Sequence, residues 1–352
     1  MTLKPKWPKK RVNFVKTVAK STPRSEDLRV EIAGAGLLGR LLGWHYTQRG
    51  AKVQLYERAR ADNPRSAAHV AAAILAAPSE RTESDALILS LAKMSLKRWP
   101  DWLEELNVPY ALEGSIITAH PNDQALLTQF ISVMKRREVP GVRVLDREEL
   151  TSLEPDLAPH FQSGVFLEGE GWLDNRALLQ SLEQVCGSIS YETPVETKDL
   201  GGDLVIDCRG AGSDDPDIRG VRGEILRLYA PEVNLRRPVR LLHPKYPLYV
   251  APRPNHQYVL GATQIESEYE GKVTVRSALE LLSTAYVIST GFEEAEITEL
   301  SSALRPAYPD NNPRVYWNDR VLRVNGLYRC GFAIAPAIVE QATALVEQRC
   351  AS

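Results

Sequence analysis

The pattern of apolar and polar positions is clearest from Arg29 onward, in RVEIAGAGLLGRLLGWHYTQRGAKVQLYERA. Val30 to Ala33 reads as a short buried strand, Leu37 to Gln48 carries apolar residues at helical spacing, and Lys52 to Tyr56 alternates with period two. Gly50 stops the helix between the two strands. Together these residues predict a complete βαβ unit. The next stretch, RSAAHVAAAILAAPSE (Arg65 to Glu80), is rich in alanine and almost without period, and predicts a helix buried on several sides. Further on, Asp-Leu-Val-Ile-Asp ending at Asp207 predicts a buried strand followed by a turn at Gly210 and Gly212. Tyr246 to Leu260 predicts a hairpin with its turn at Pro252 to Asn255. An apolar helix is expected from Gly331 to about Val346. No internal repeat interrupts this order.

The glycines of the βαβ unit each have a steric task. Gly34 permits the tight turn after the first strand, Gly36 lets the backbone approach a pyrophosphate, and Gly39 allows the helix to pack closely on the strand. The helix N-terminus, with Ala35, Leu37 and Leu38 around it, presents free N–H groups and a positive dipole end to phosphate. Glu57 at the end of the second strand is placed to accept hydrogen bonds from a ribose diol, which disfavours NADP. A bare glycine fingerprint is weak, but here strand, helix and terminal acid are all in place, so a dinucleotide is expected. FAD and NAD share the fingerprint, and the unit alone does not choose between them.

Composition narrows the remaining classes. At 352 residues, two lobes are expected. With 43% apolar and 25% charged residues, the chain falls in the ordinary globular range. A net charge of −2 lacks the positive field that nucleic-acid binding usually needs, so no nucleic-acid partner is expected. Cys186, Cys208, Cys330 and Cys350 are isolated, without metal-ligand spacing or a disulfide framework, so no metal and a reducing, cytoplasmic compartment are expected. The longest apolar run, Val70 to Ala77, is too short to predict a membrane span. Residues 1–28 form a basic extension with a poor match to a signal peptide. It reads either as a solvated arm or as a docking element for an acidic partner surface.

The βαβ unit and the small-residue stretch after it resemble the glycine oxidase and D-amino acid oxidase family of FAD proteins. The resemblance continues through LDREELTSLEPDLAP, GGDLVIDCRGAGS, GVRGEILRL, YPLYVAPRPNHQYVLGAT, SALRPAYPD and GLYRCGFAIAPAIVEQA, and covers about residues 29–345. It implies an α/β fold: a Rossmann-like FAD-binding domain with a second α+β substrate domain on a mixed antiparallel sheet. The expected division is discontinuous, with 29–84, 145–218 and 300–352 binding FAD and 85–144 and 219–299 forming the substrate domain. The resemblance implies FAD contacts at Arg58, Ser66, His69, Ala71, Ala72, Val195, Gly210, Ala211, Gly212, Arg305, Cys330, Gly331 and Phe332. Some relatives attach FAD through a histidine, but that position corresponds here to Ala71, so noncovalent FAD is expected.

An oxidase of this kind transfers a hydride from substrate to flavin, while the protein holds the carboxylate and orients the reacting C–H bond. A planar guanidinium holds a carboxylate bidentately and stays charged. Arg305 and Arg329 match the family's two candidate arginines, and Tyr249 matches a carboxylate-binding tyrosine. Each also has a plain structural alternative: an ion pair for Arg305, a helix cap for Arg329, core packing for Tyr249. The chain departs from the family pattern at DNNPRVYWNDRVLRVNG, a more polar stretch expected to reshape the site entrance. The resemblance therefore implies an FAD-dependent oxidase of a small amino acid or amine, with O₂ as acceptor. It also extends to a branch of flavoproteins that mature a partner protein precursor, assisting cysteine tryptophylquinone formation. The sequence is compatible with an oligomer.

Overall fold

The computed structural model describes residues 28–76, 86–157, 159–244 and 248–351. The basic extension, apart from Leu28, lies outside them. β1 (Arg29–Ala33), α1 (Leu37–Gln48) and β2 (Lys52–Tyr56) form the βαβ unit where the hydrophobic pattern predicts it. After it, α2 spans only Ala67–Val70 and the chain becomes extended at β3 (Ile74–Leu75). α3 (Ala86–Glu105) leads through β4 (Tyr110–Ala111) into β5 (Ser115–Ala119). There follow α4 (Gln124–Arg136), β6 (Val142–Asp146), α5 (Arg147–Leu153), β7 (Ser163–Leu167) and β8 (Gly171–Leu173). The chain then passes through α6 (Asn175–Val185), β9 (Ser188–Ser190) and β10 (Leu204–Asp207). A second excursion contains β11 (Arg219–Tyr229), β12 (Val239–Leu242), β13 (Leu248–Arg253), β14 (Gln257–Gly261), α7 (Val275–Ile288) and β15 (Glu296–Ala307). β16 (Arg314–Asn318), β17 (Val321–Asn325) and α8 (Gly331–Ala351) close the chain.

Two large sheets result. The first has the order β16-β17-β10-β1-β2-β9, parallel except for the edge strand β16. Its central strands are apolar on both faces because helices cover one side and loops the other, as a parallel sheet requires. The second is a mixed sheet, β15-β11-β14-β13-β12-β5-β7-β6, in which only β12 and β5 run parallel. α7 packs on one of its faces through Leu281, Ala285 and Ile288. A small third sheet, β3-β8-β4, touches α8 through β3 and the second sheet through β8 and β13.

Helix α8 is long and apolar enough to span a membrane by length and composition, but its apolar residues from Phe332 to Val339 are buried in the core of the first layer. Pro336 removes the N–H that would bond the Phe332 carbonyl. The Trp99 indole N–H of α3 fills that place at 2.7 Å, and Ser95 Oγ accepts from Ala337 N at 3.1 Å. Helix α3 thereby belongs to the nucleotide-binding layer.

Four expectations are corrected. Residues 86–105 pack in the first layer rather than in the substrate domain, whereas β6, β7 and β15 belong to the second sheet, so the expected boundaries at 85, 145 and 300 fall elsewhere. Over its described residues, 65–76, the alanine-rich stretch is not one helix, and 77–80 lie outside the described residues. The carbonyls of Ala68, His69, Ala72 and Ala73 are taken by Asn175, Arg253 and Leu173 N, and tertiary bonds override helix propensity. The polar stretch after Asp310 is a hairpin rather than an entrance loop: β17 is fully buried, and the polar side chains meet partners, Arg314 with Asp217, Tyr316 with Asp215 and Arg323 with Asp214. The β13–β14 turn falls at Pro254 to His256, because Pro252 and Arg253 still pair in the sheet.

Candidate active site

A cavity of about 980 Å³ runs between the two sheets. At one end stands the glycine turn of the βαβ unit. Gly34 has φ +95°, and a Cβ there would lie 2.6 Å from the Cys208 carbonyl oxygen. At Gly39 a Cβ would lie 1.9 Å from the Gly34 carbonyl oxygen, so this glycine serves helix packing and does not face the cavity. Gly36 is different: a Cβ there would meet only Ser66 Cβ at 3.9 Å, and the position faces the cavity. Helix α1 begins there with no side-chain cap and no acid in its first turn, leaving its N–H groups to a ligand. Leu37 and Leu38 line the cavity beside it. Ala35 sits behind the wall, its N–H donating to Glu57 Oε2 at 3.0 Å, while Glu57 Oε1 accepts from Ala59 N. The Glu57 carboxylate is thus fixed at the cavity edge.

Along the cavity, Arg58 lies against Gly212, whose Cβ would be 3.3 Å from its guanidinium. Ser66 caps α2, and Ala71 and Ala72 offer small side chains to the wall. His69 lines the same wall; burial and the nearby Arg176 push it down to about 4, so it is neutral at neutral pH. Val195, Gly210, Ala211 and Gly212 form the opposite wall. Their turn is held from behind by Asn325, which donates to the Gly210 carbonyl at 3.0 Å, and by Arg209, which clasps Asp207 through two bonds. Cys330, Gly331 and Phe332 bring the start of α8 to the cavity.

The far end is lined by cations. Arg305 on β15 crosses β11 at Gly223, where a Cβ would lie 2.4 Å from its Cζ. Its guanidinium donates to the Thr263 carbonyl at 3.0 Å and more weakly to that of Arg222, and no carboxylate pairs with it among the described residues. The ion-pair alternative for Arg305 is therefore excluded within them. Burial lowers its proton affinity, with Tyr249 opposing and Arg329 reinforcing the shift. Arg329 reaches Gln264 Oε1 at 3.3 Å, and Tyr249 stands opposite Gly261 in the β13–β14 ladder. All three residues singled out for substrate line this end. Reading the sequence missed Arg240, cross-strand from Tyr249, and Tyr328, whose φ of +48° is costly for a tyrosine. It also missed Gly223, although a glycine inside a strand signals close backbone approach.

An uncapped helix N-terminus, an open Gly36 and a long cavity continuing to the second sheet fit a dinucleotide. The fold and the site define an α/β flavoprotein oxidoreductase with a parallel nucleotide-binding sheet and a mixed substrate sheet. The chain belongs to the DAO family of FAD dependent oxidoreductases, whose pattern matches residues 29–345. It is 38% identical over 319 residues to a protein of Rhizobium etli named as a thiamine biosynthesis oxidoreductase, ThiO, covering 88% of this chain and 94% of that one. It is 23% identical to a glycine oxidase of Bacillus licheniformis over 344 residues, 88% of this chain and 90% of the relative. The crystal structure of glycine oxidase from Geobacillus kaustophilus superposes with a TM-score of 0.79 at 23% identity, over 92% of this chain and 95% of that one.

Proposed function

We propose that this flavoprotein oxidises a small amino acid or related amine, with its carboxylate held by Arg305 and the reacting C–H bond turned toward noncovalent FAD. Arg305 carries the reading. It is a part-buried cation whose hydrogen-bond partners among the described residues are neutral carbonyls, and a charge drawn away from water without a counter-charge is costly. A substrate carboxylate supplies the missing anion and gains a bidentate, charge-assisted contact. Arg329 adds positive field at the same end, and Tyr249 offers a hydroxyl beside it. FAD, when bound, accepts the hydride; the glycine turn, α1 and the small wall at Ala71 and Ala72 are the residues that hold it. Small side chains there let a flat ring lie close to the backbone. With O₂ as acceptor the products are an imino acid and H₂O₂.

The test is anaerobic mixing of the purified protein with glycine, sarcosine and D-amino acids, followed at the visible flavin band. Bleaching by one of them, with recovery and peroxide in air, supports the reading. A flavin that dithionite reduces but none of the panel bleaches moves the substrate to a partner protein precursor.

A further inference from the structure

The wall Ala68–Ala72 is held from behind by a set of buried polar side chains. Asn175, fully buried at the start of α6, donates its amide to the carbonyls of Ala68 at 2.8 Å and His69 at 2.9 Å. Its Oδ1 in turn accepts from Arg227 Nη2 on β11 at 3.1 Å. Arg253 on β13 donates to the Ala72 carbonyl and to that of Pro252, and its guanidinium lies 5.2 Å over the Trp172 ring. Neither Arg227 nor Arg253 pairs with a carboxylate among the described residues, and both are more than nine-tenths buried. Burial pushes Arg253 down to about 9 and Arg227 to about 10, so both are cations at neutral pH.

The surroundings do not cancel this charge. Arg176 pairs with Glu299 at 2.7 Å, and Asp174 caps α6 through backbone N–H groups. Three guanidinium groups therefore face two carboxylates, while His69 is neutral. A planar peptide whose carbonyl points to Arg253 turns the Ala73 N–H the other way. Each of these contacts orients the wall, and the excess cation sits directly behind it.

We propose that Asn175, Arg227 and Arg253 are positioning residues that hold the Ala68–Ala72 wall by its carbonyls and set a positive field behind it, favouring reduced over oxidised flavin against that wall. This rests on the reading that the cavity holds FAD. In low dielectric a charge one peptide behind the cavity wall acts with little screening. Plain packing residues would alter stability without altering the reduction equilibrium.

The experiment measures the two-electron reduction equilibrium of bound flavin against a reference dye, together with FAD affinity and thermal melting, in the holoprotein. Arg253→Met is expected to lower the equilibrium constant for reduction about tenfold, roughly 30 mV for a two-electron couple. Arg253→Lys, measured at a pH low enough to keep the buried ammonium protonated, is expected to stay within about twofold of the parent. If Arg253→Met does not fold, Arg227→Met gives the same reading, since it removes the other cation of the set. A folded, yellow Arg253→Met or Arg227→Met protein with an unchanged equilibrium overturns the proposal. A parent protein that takes up no flavin overturns the cofactor reading instead.

Discussion

At the glycine end of the cavity the contacts come from backbone drawn from one stretch of chain, Gly34 to Glu57. At the arginine end they come from side chains on β11, β12, β13 and β15 and from the approach to α8. The first end needs only a turn, a helix start and room for a phosphate, which three glycine positions supply locally. The second needs charge held at a fixed place, and Arg305 is fixed by a glycine and a carbonyl of β11 and by the Thr263 carbonyl just after β14. Geometry made of backbone tolerates little change in the fold; geometry made of side chains can be changed while the fold stands.

Substitutions that separate the two kinds of end sharpen this contrast. Gly39→Ala places a Cβ 1.9 Å from the Gly34 carbonyl oxygen and is expected to destabilise by about 3 kcal/mol, the upper range for overpacking, with loss of flavin on purification. Denaturant unfolding and the flavin-to-protein absorbance ratio measure both effects. Gly36→Ala, three residues away in sequence, meets only Ser66 Cβ at 3.9 Å, so melting of the flavin-free protein should hold while FAD binding weakens about tenfold. Equal losses of stability at both positions would break the distinction between a fold glycine and a ligand glycine.

At the other end, Gly223→Ala displaces the Arg305 guanidinium, which lies 2.4 Å from the new Cβ. KM for a carboxylate substrate should rise about fivefold with flavin content unchanged, the mark of lost ground-state binding. The smallest effect concerns His69. Its folded value of about 4 lies below the ordinary 6.5, so its share of stability is present above about 6.5 and is lost as pH falls toward 4. His69→Gln should reduce the fall in Tm over that window by about 1–3 °C. His45, also pushed down to about 4 by burial, keeps part of the slope. An identical slope in the variant would show that His69 does not titrate with folding.

The same contrast explains what the sequence makes legible. The βαβ unit is local, and its strand and helix limits, its three glycines and Glu57 fall where periodicity and turn chemistry place them. Arg305, Arg329 and Tyr249 could be singled out only through a family resemblance, since nothing in their spacing brings β13, β15 and the start of α8 together. Gly223 carries a local signal, but its partner lies across a ladder that no period reveals. The alanine-rich stretch fails as a helix because Asn175 and Arg253, 106 and 181 residues away, capture its carbonyls. The hairpin β16–β17 was hidden by polar residues whose partners Asp214, Asp215 and Asp217 lie about 100 residues earlier. In each case the deciding contact is distant in sequence.

The central claim is that one end of the cavity holds FAD and the other holds a carboxylate on Arg305. Propionate, a carboxylate with no oxidisable amine, can be titrated into the flavoprotein and followed by perturbation of the visible flavin spectrum. The account predicts saturable perturbation in the parent protein and at least about a hundredfold weaker binding in Arg305→Met, with its flavin retained. Equal propionate affinity in the two proteins would contradict it.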